Sequence, residues 1–327
     1  MADKLRWGIL ATGHIARKFA IGVRASQLGV LAAVGSRSRE KAEAFGIEFD
    51  IPRRHGSYEA LAADADVDAI YVSTPNPMHH ANALLCLNAG KAVLCEKPFA
   101  INARQAAEVI ALARAKKLFL MEALWSRFLP TIVKARELVA EGAIGELRMI
   151  LADFSFRCTW NPDSRLLSPQ LGGGGLLDVG IYPISLACMF FGPAREVASQ
   201  AHLGETGVDE QAGIVLKYDA GRLAVLACGV RTQSPMEARI LGTEGSIHLH
   251  GPWWKGDRLT LTAGGKEPQA LHLPIAANGY NYEADEVARR IAAGQLESDV
   301  IPLDETLSIM KTLDTIRGQW GLKYPME

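Results

Sequence analysis

The stretch LRWGILATGHIA, residues 5–16, joins a short apolar run to a glycine-containing turn and the start of a helical pattern. Leu5–Leu10 has the composition of a buried strand, and His14–Val23 carries apolar residues at helical spacing. A strand that passes through a tight turn directly into a helix is the first half of a strand–helix–strand unit. The stretch therefore predicts an α/β domain at the amino-terminal end of the sequence.

The turn itself fits the pattern G-x-G-x-x-G/A from Ala11 to Ala16, with alanine in place of the first glycine. Gly13 would let the backbone approach a pyrophosphate, and the following helix offers unpaired N–H groups to phosphate oxygens. A match of this kind is informative because it follows a strand and opens a helix. The residues expected to bind the phosphates of a dinucleotide are Ala11, Thr12, Gly13, His14 and Ile15.

The amino-terminal part of the chain continues to alternate apolar runs with helical stretches. Strands are predicted at Leu28–Val34, Ala69–Val72, Ala92–Leu94 and Leu118–Met121, and helices at Arg39–Phe45, Tyr58–Ala62, His79–Asn88 and Ala103–Ala115. Such alternation requires crossover connections and therefore a parallel sheet. We expect an α/β fold with a Rossmann dinucleotide-binding domain over residues 1–122.

The rest of the chain has a different pattern, in which pairs of strands are separated by glycine-containing turns. The predicted pairs are Ile214–Tyr218 with Arg222–Ala227, Glu237–Leu241 with Ser246–His250, and Leu259–Thr262 with Ala270–Leu273. They predict an α+β domain over residues 123–327 with a large open, mostly antiparallel sheet. Helices are expected at Tyr282–Ala293 and Glu305–Arg317, the last one packing back on the first domain, and the active site is expected between the domains.

The end of the second strand indicates which dinucleotide is bound. An NAD site has a carboxylate there for the ribose hydroxyls, whereas residues 35–39 read GSRSR and no acid precedes Glu40. Hydroxyl and guanidinium groups suit a 2′-phosphate, because they form charge-assisted hydrogen bonds with it. We predict that Ser36, Arg37 and Ser38 bind NADP, with NAD as a weaker alternative. A solvated basic loop is the other interpretation.

Two neighbouring strands end in polar segments fixed by proline. Residues 73–79 read STPNPMH, and Cys95-Glu96-Lys97-Pro98 ends the next strand. The carboxyl ends of such strands border the crevice that holds the nicotinamide half of a dinucleotide. A charged loop that simply stops the strand would also explain Glu-Lys-Pro by itself. We expect Pro98 to follow a cis peptide bond, because the chain must turn sharply there.

Four consecutive glycines, Gly172–Gly175, precede an apolar run that contains Asp178 and Tyr182. They suggest a loop passing close to a ligand and then a helix, on which these two residues share one face. Oxidation of an alcohol needs a group that accepts its proton. A tyrosine whose pKa is lowered by Lys97 can do this, or the lysine itself can, and the sequence leaves both possibilities open. Tyr182 could also be a core tyrosine.

These segments resemble one known family. Glu96-Lys97-Pro98, with Thr74-Pro-Asn-x-x-His79 before it, resembles the signature of the glucose–fructose oxidoreductase, inositol dehydrogenase and rhizopine catabolism (Gfo/Idh/MocA) family. Residues 121–128 resemble the segment that crosses into the family's second domain, and residues 172–182 resemble its glycine-rich loop and catalytic helix. Tyr182 stands where many members have histidine. In this respect the sequence is similar to the branch with NADP-dependent D-xylose dehydrogenase and the dimeric dihydrodiol dehydrogenases.

The resemblance implies roles for residues at matching positions. Lys97, Tyr182 and Asp178 would be catalytic. Further cofactor contacts would come from Thr74, Asn76, His79, Glu96, Lys97 and Arg127. Family members cover the open sheet with a second subunit, which implies a homodimer or a dimer of dimers.

The expected substrate follows from the side chains around the reaction. Trp125 and Phe156 would form aromatic walls beside the polar groups of Asp178 and Tyr182, and this mixture suits a ring with adjacent hydroxyls. We predict NADP-dependent oxidation of a cyclic sugar or a vicinal diol. Reduction of a keto-sugar or anhydro-keto-sugar, and a non-catalytic NADP-binding regulatory protein, are the alternatives.

The composition excludes several other classes. The net charge of −1 on 327 residues gives no sign of nucleic-acid binding, and neither a signal peptide nor a membrane-spanning apolar run is expected. The five cysteines are odd in number and form no C-x-x-C pair, which favours reduced thiols in a cytoplasmic protein. His248 and His250 would share one face of a strand, but no third ligand is near, so we expect no metal.

Overall fold

The computed structural model describes residues 4–327, which form two compact units. The first unit contains the residues up to Trp125 together with Ala276–Thr306, and the second contains Ser126–Ile275 and Leu307–Glu327. The sequence analysis assigned the whole of residues 123–327 to the second domain. Residues 276–306 cluster instead with the first unit, because the helix Tyr280–Ala292 packs against the helix His14–Ala25.

The regular elements are numbered here in chain order. The strands are β1 (Leu5–Leu10), β2 (Gly29–Gly35), β3 (Arg53–His55), β4 (Ala69–Val72), β5 (Ala92–Glu96), β6 (Leu120–Ala123), β7 (Leu147–Ser155), β8 (Glu196–Leu203), β9 (Asp209–Lys217), β10 (Leu223–Gly229), β11 (Ala238–Gly242), β12 (Gly245–Leu249), β13 (Arg258–Ala263) and β14 (Gln269–His272). The α-helices are α1 (His14–Ala25), α2 (Arg39–Glu48), α3 (Tyr58–Ala62), α4 (His79–Asn88), α5 (Ala103–Lys116), α6 (Pro130–Ala140), α7 (Ile181–Phe191), α8 (Tyr280–Ala292) and α9 (Leu303–Gln319).

The sheet of the first unit has the strand order β3-β2-β1-β4-β5-β6, and all its pairs are parallel. This order is that of a doubly wound Rossmann sheet, so the predicted fold class is confirmed. β5 runs two residues beyond its predicted end, because Cys95 and Glu96 pair with the residues of β6. The edge strand β3 was not predicted, since the sequence of Arg53–His55 has no β-forming residues.

The second unit contains an eight-stranded sheet in the order β14-β13-β12-β11-β7-β10-β9-β8. All of its pairs are antiparallel except β7 with β10. The three predicted hairpins are confirmed as β9–β10, β11–β12 and β13–β14, whereas β8 and α6 were missed. Burial alternates along β9, where Ile214 and Leu216 are buried and Val215 is exposed. One face of the sheet therefore packs on the core and the other faces outward.

Helix α7 lies in the core of the second unit, where it packs against β7 and β10. The helical segment Pro169–Phe191 is long and apolar enough to cross a membrane, but 89% of its apolar stretch is buried inside the protein. The sequence had predicted no membrane-spanning apolar run, because glycines and Asp178 interrupt this segment. A segment buried to this extent is a core helix of the second unit.

Packing between α1 and α8 generates the first prediction. A Cβ atom at Gly22 of α1 would lie 2.6 Å from the Cβ of Tyr280 and 2.9 Å from the backbone N of Asn281. Gly22→Ala should therefore lower the free energy of unfolding by about 1–3 kcal/mol through overpacking. Urea denaturation measures the change. Gly318→Ala is the control, because a Cβ there meets no atom within 4 Å. Equal stability of the two variants would contradict this packing.

Candidate active site

The turn after β1 has the backbone shape that the dinucleotide pattern requires. Ala11 adopts a φ of 89°, a conformation that favours glycine, and its N–H donates to the carbonyl oxygen of Gly35 at 2.9 Å. A Cβ atom at Gly13 would meet no atom within 4 Å, so its backbone is open to a ligand. Helix α1 begins at His14 with neither a side-chain cap nor an acidic residue in its first turn. Its N–H groups are therefore available to an anion.

This turn borders a cleft of about 720 Å³ in the first unit. The lining brings two predicted sets together, namely Ala11, Thr12 and Gly13 from the turn and Ser36, Arg37 and Ser38 from the end of β2. Five further residues of the lining were not predicted as site residues: Arg17, Lys41, Ala44, Tyr58 and Pro75. Arg17 and Lys41 could have been found from the sequence, since each lies in the first turn of a helix that opens at the phosphate edge.

The charge of the cleft suits an anionic ligand. Among the described residues that line it are three bases and no carboxylate, and Arg37 is exposed beside the Tyr58 hydroxyl. Burial raises the pKa of Tyr58 while the Arg37 charge opposes that rise. Ser38 caps α2 by accepting the N–H of Lys41 at 3.2 Å. Open backbone, an uncapped helix and bases at the β2 end together fit a dinucleotide with a 2′-phosphate.

His79 links the two polar turns that follow β4 and β5. Its Nδ1 lies 2.7 Å from the carbonyl oxygen of Pro98, and its Nε2 lies 2.7 Å from that of Thr74. Burial lowers the pKa of His79, whereas the two carbonyl contacts raise it. The ring is enclosed by protein and links the two turns, and its prediction as a cofactor contact stays a prediction. The Thr74 hydroxyl accepts from the amide of Asn82 at 3.1 Å, and Asn76 is half-buried in the turn after β4.

Glu96 and Lys97 lie at the end of β5, and the Lys97–Pro98 peptide bond is cis as predicted. The carboxylate of Glu96 is buried; it accepts the Tyr71 hydroxyl and, at 3.0 Å, the backbone N–H of Lys97. A second buried acid, Glu283 of α8, has a pKa raised well above its usual value by burial and by the charge of Glu96. The sequence analysis missed Glu283 because no pattern connects it to the distant β5.

In the second unit, Asp178 and Tyr182 lie in consecutive helical segments. Asp178 belongs to a π-helical turn, Leu176–Gly180, which precedes α7 and its Tyr182. The i→i+5 hydrogen bonds of this turn shift the residues from regular α-helical spacing, and π-turns often occur at functional sites. Both side chains are largely buried, and Asp178 Oδ1 accepts from Arg165 Nη1 at 2.8 Å. The sequence analysis did not identify Arg165.

Aromatic side chains surround Tyr182. Phe154 stacks on Trp254 with ring centroids 3.4 Å apart, and it lies 5.4 Å from the Tyr182 ring. The ring centroid of Phe156, which was predicted to form a wall of the substrate pocket, lies 6.4 Å from that of Phe154. Trp254 was missed, because it lies in a short 3-10 turn far along the chain. Trp125, the other residue predicted to form a wall, belongs to the first unit, where it stacks on Tyr280 with ring centroids 4.7 Å apart.

Arg127 has a structural partner. Its guanidinium is buried and donates through Nε to the Ser185 hydroxyl and through Nη2 to the Ser185 carbonyl, both at 2.8 Å. Arg127 therefore anchors α7, a role that explains its burial without a cofactor. Its prediction as a cofactor contact stays a prediction.

A metal site finds no support in the described chain. Residues 4–327 contain no group of three or more His, Cys, Asp or Glu side chains arranged to hold a metal ion. The His248 and His250 rings lie 4.2 Å apart, but they contact Glu237 and Thr260 respectively. All five cysteines are free thiols in this part of the chain, and burial raises the pKa of Cys86 to about 12. A thiol in that state is a packing residue.

Comparison with known proteins agrees with this arrangement. Residues 5–124 match the model of an oxidoreductase family with an NAD-binding Rossmann fold, and residues 132–248 match the GFO/IDH/MocA C-terminal domain. Trans-1,2-dihydrobenzene-1,2-diol dehydrogenase from Mus musculus is 36% identical to this chain over 335 residues, which cover 99% of both chains. The chain belongs to the Gfo/Idh/MocA family. The same dehydrogenase from Danio rerio is 38% identical, again over 99% of both.

Solved structures of Gfo/Idh/MocA-like enzymes extend the likeness to the whole fold. An aldose–aldose oxidoreductase from Caulobacter crescentus, complexed with glycerol, has a TM-score of 0.89 at 26% identity over 98% of both chains. A 3-ketoreductase from Actinomadura kijaniata, in complex with NADP and TDP-benzene, has a TM-score of 0.86 at 26% identity. That alignment covers 97% of this chain and 98% of the ketoreductase. The predicted family, fold class and oxidoreductase activity are confirmed.

The basic cleft generates a prediction about cofactor choice. Arg37→Ala should raise the Kd for NADP by about 10- to 100-fold, because a charge-assisted hydrogen bond to the 2′-phosphate is lost. The Kd for NAD should change by less than about threefold, since NAD has no such phosphate. Fluorescence titration measures both. Arg39→Ala is the matched control, because Arg39 pairs with Glu43 and does not line the cleft. Equal losses for the two dinucleotides would show that Arg37 does not distinguish them.

Proposed function

We propose that this protein is an NADP-dependent oxidoreductase that oxidises one carbinol carbon of a cyclic sugar or a vicinal cyclic diol. The same site would reduce the corresponding ketone in the reverse direction. The observation that carries the proposal is the basic, carboxylate-free cleft of the first unit, which lies at the same sheet edge as Lys97. The solved complex of the 3-ketoreductase contains NADP, which supports NADP as the cofactor of this chain.

The chemistry divides between the cofactor and the chain. Bound NADP supplies the acceptor for the hydride that leaves the carbinol carbon. The alcohol proton must pass to a base at the same time, and Lys97 Nζ and Tyr182 Oη are the groups that we assign to this transfer. Structures of the ketoreductase include variants in which a lysine or a tyrosine is replaced, the same two residue types. The Asp178 carboxyl group, which Arg165 holds in place through a hydrogen bond, can orient a substrate hydroxyl.

The substrate class follows from the surroundings of Tyr182. Phe154 and Trp254 offer flat apolar surface next to Tyr182, and this combination suits a ring that carries adjacent hydroxyls. Aldopyranoses and trans-dihydrodiols of aromatic rings are the leading candidates. The dihydrodiol dehydrogenases support the second of these, and the aldose–aldose oxidoreductase supports the first. The 3-ketoreductase supports keto-sugar reduction as a further candidate.

The proton-transfer assignment is tested by substitution. Lys97→Ala and Tyr182→Phe should each lower kcat by about 10²- to 10⁴-fold, because each removes a group that handles the proton. Lys117→Ala and Tyr218→Phe are the controls, since Lys117 is exposed and Tyr218 is buried away from Tyr182 against Phe191. NADPH absorbance with aldoses, inositols, dihydrodiols and dicarbonyls measures turnover. Activity confined to acyclic alcohols would reject the substrate class, and tight NADP binding without turnover would favour a regulatory protein.

The open face of the second sheet supports a further proposal, that two copies of the chain form a homodimer in the cytoplasm. Ala198, Val215, Val225 and Leu151 lie side by side across four strands, and both valines are exposed. Such an apolar row on an exposed sheet face is a suitable interface. The free cysteines are consistent with a reducing compartment.

Val225→Asp tests this interface, because it would place a charge in the apolar row. We expect sedimentation to show a shift from dimer to monomer. Val133→Asp is the matched control, since Val133 is similarly exposed but lies on α6. A wild-type protein that sediments as a monomer would contradict the proposal.

A further inference from the structure

The glycine-rich turn before α7 is crowded by protein atoms. A Cβ atom at Gly173 would lie 2.9 Å from backbone atoms of Leu166, and one at Gly175 would lie 3.2 Å from the Cα of Gly229. At Gly174, where φ is +114°, a Cβ would lie only 2.2 Å from Oδ1 of Asp209. The sequence analysis attributed these glycines to a passing ligand. The structure provides another reason, which is the close approach of Asp209 and the neighbouring backbone.

Asp209, the first residue of β9, is fully buried beneath this turn. Its Oδ2 accepts the backbone N–H of Leu176 at 2.6 Å, and the carboxyl group also accepts the N–H of Gly175. These N–H groups belong to the start of the π-helical turn, where no residue within the helix can accept them. Asp209 therefore supplies from another strand the cap that the helix lacks, since Gly175 has no capping side chain.

The capped segment carries two proposed active-site residues. Leu176 is the first residue of the turn that contains Asp178, and α7 with Tyr182 follows without a break. A shift at Leu176 therefore displaces both side chains. We propose that Asp209 is a positioning residue for the oxidoreductase reaction, holding the start of the helical segment that presents Asp178 and Tyr182. This inference rests on the proposed function of those two residues.

The hold on the helix depends on the charge of Asp209. Burial raises the pKa of Asp209 to about 7, and its N–H partners oppose that rise. Its Oδ1 is buried and makes no hydrogen bond. A carboxylate accepts N–H groups more strongly than a neutral carboxyl does, while burial favours the neutral form, so the contacts that hold the turn should change as Asp209 titrates near pH 7.

The other titratable groups that face Asp209 are a thiol and a phenol. Cys228 of β10 faces it, and so does Tyr324 of the carboxyl-terminal segment, whose hydroxyl donates to the Gly173 carbonyl at 2.7 Å. Burial raises the pKa of both groups well above their usual values, so both remain neutral. Arg317 and Glu327 are paired with each other beside Tyr324. Asp209 is therefore the member of this group that changes charge near pH 7.

The test uses Asp209→Asn, which keeps the shape and one acceptor oxygen but cannot become charged. At pH 8.5 we expect kcat to fall by about tenfold, with the Kd for NADP unchanged because the cleft lies in the other unit. Any change of kcat near pH 7 that comes from the titration of Asp209 in the wild type should be lost in this variant. Hydrogen–deuterium exchange of residues 172–182 should be faster than in the wild type. Asp219→Asn is the matched control, since Asp219 is exposed and pairs with Arg195.

A second variant tests the geometry without removing the carboxyl group. Gly174→Ala should also speed exchange in residues 172–182 and lower kcat, because its Cβ would displace Asp209. Gly213→Ala, in the same strand as Asp209, should change neither, since a Cβ there meets no atom within 4 Å. If Gly174→Ala does not fold, the exchange measurement on Asp209→Asn decides the test, and if Asp209→Asn does not fold, the measurement on Gly174→Ala decides it.

Thermal stability provides a readout that is independent of activity. A carboxyl group whose pKa is raised from 3.8 to about 7 contributes stability that is present below pH 4 and lost as the pH rises towards 7. The Tm of Asp209→Asn relative to the wild type should therefore increase across this interval. An unchanged kcat, pH profile and exchange rate in Asp209→Asn would overturn the positioning role, even if Tyr182→Phe is inactive. Full activity of Tyr182→Phe would instead reject the proposed function.

Discussion

The parallel pairing of β1 with β2 and β4, and of β4 with β5, determines where the candidate residues of the first unit lie. Parallel strands end at the same edge of a sheet, so residues that follow these four strands come together although they are far apart in the chain. The turn at Gly13, the segment at Arg37, the Thr74 turn and Lys97 all follow such ends. Hydrogen bonds within the sheet thus place the cofactor-binding chemistry before any side chain contributes.

Basic and acidic side chains occupy different places at this edge of the sheet in the first unit. Basic side chains line the open cleft, whereas the acids near Lys97 are buried beneath the strand ends. Glu96 accepts hydrogen bonds from Tyr71 and from the Lys97 backbone, and burial together with the charge of Glu96 raises the pKa of Glu283. Two ionised carboxylates in one buried site would repel each other, which favours the protonated form of one of them. The anionic ligand therefore meets bases and free N–H groups, with the acids kept out of the cleft.

The second unit holds an apolar helix, together with the two polar groups that we propose for the active site, in a buried position. Helix α7 is surrounded by core residues, and its polar contacts come from remote parts of the chain. Arg127 bonds Ser185 in the helix, Asp209 caps the preceding turn, and Tyr324 bonds the Gly173 carbonyl. Each contact satisfies a backbone or side-chain group that would otherwise be buried without a partner. These contacts allow a buried segment to keep a defined position.

The sequence by itself determined the fold class, the phosphate-binding turn, the cis peptide bond before Pro98 and the family, because each depends on local patterns of spacing and residue type. It also located Asp178 and Tyr182, although the π-helical turn between them was not visible in their spacing. Only the tertiary structure decided that His79 is enclosed and that the glycine-rich turn is shaped by Asp209. These outcomes depend on contacts between residues distant in sequence, and local propensity carries no information about such contacts.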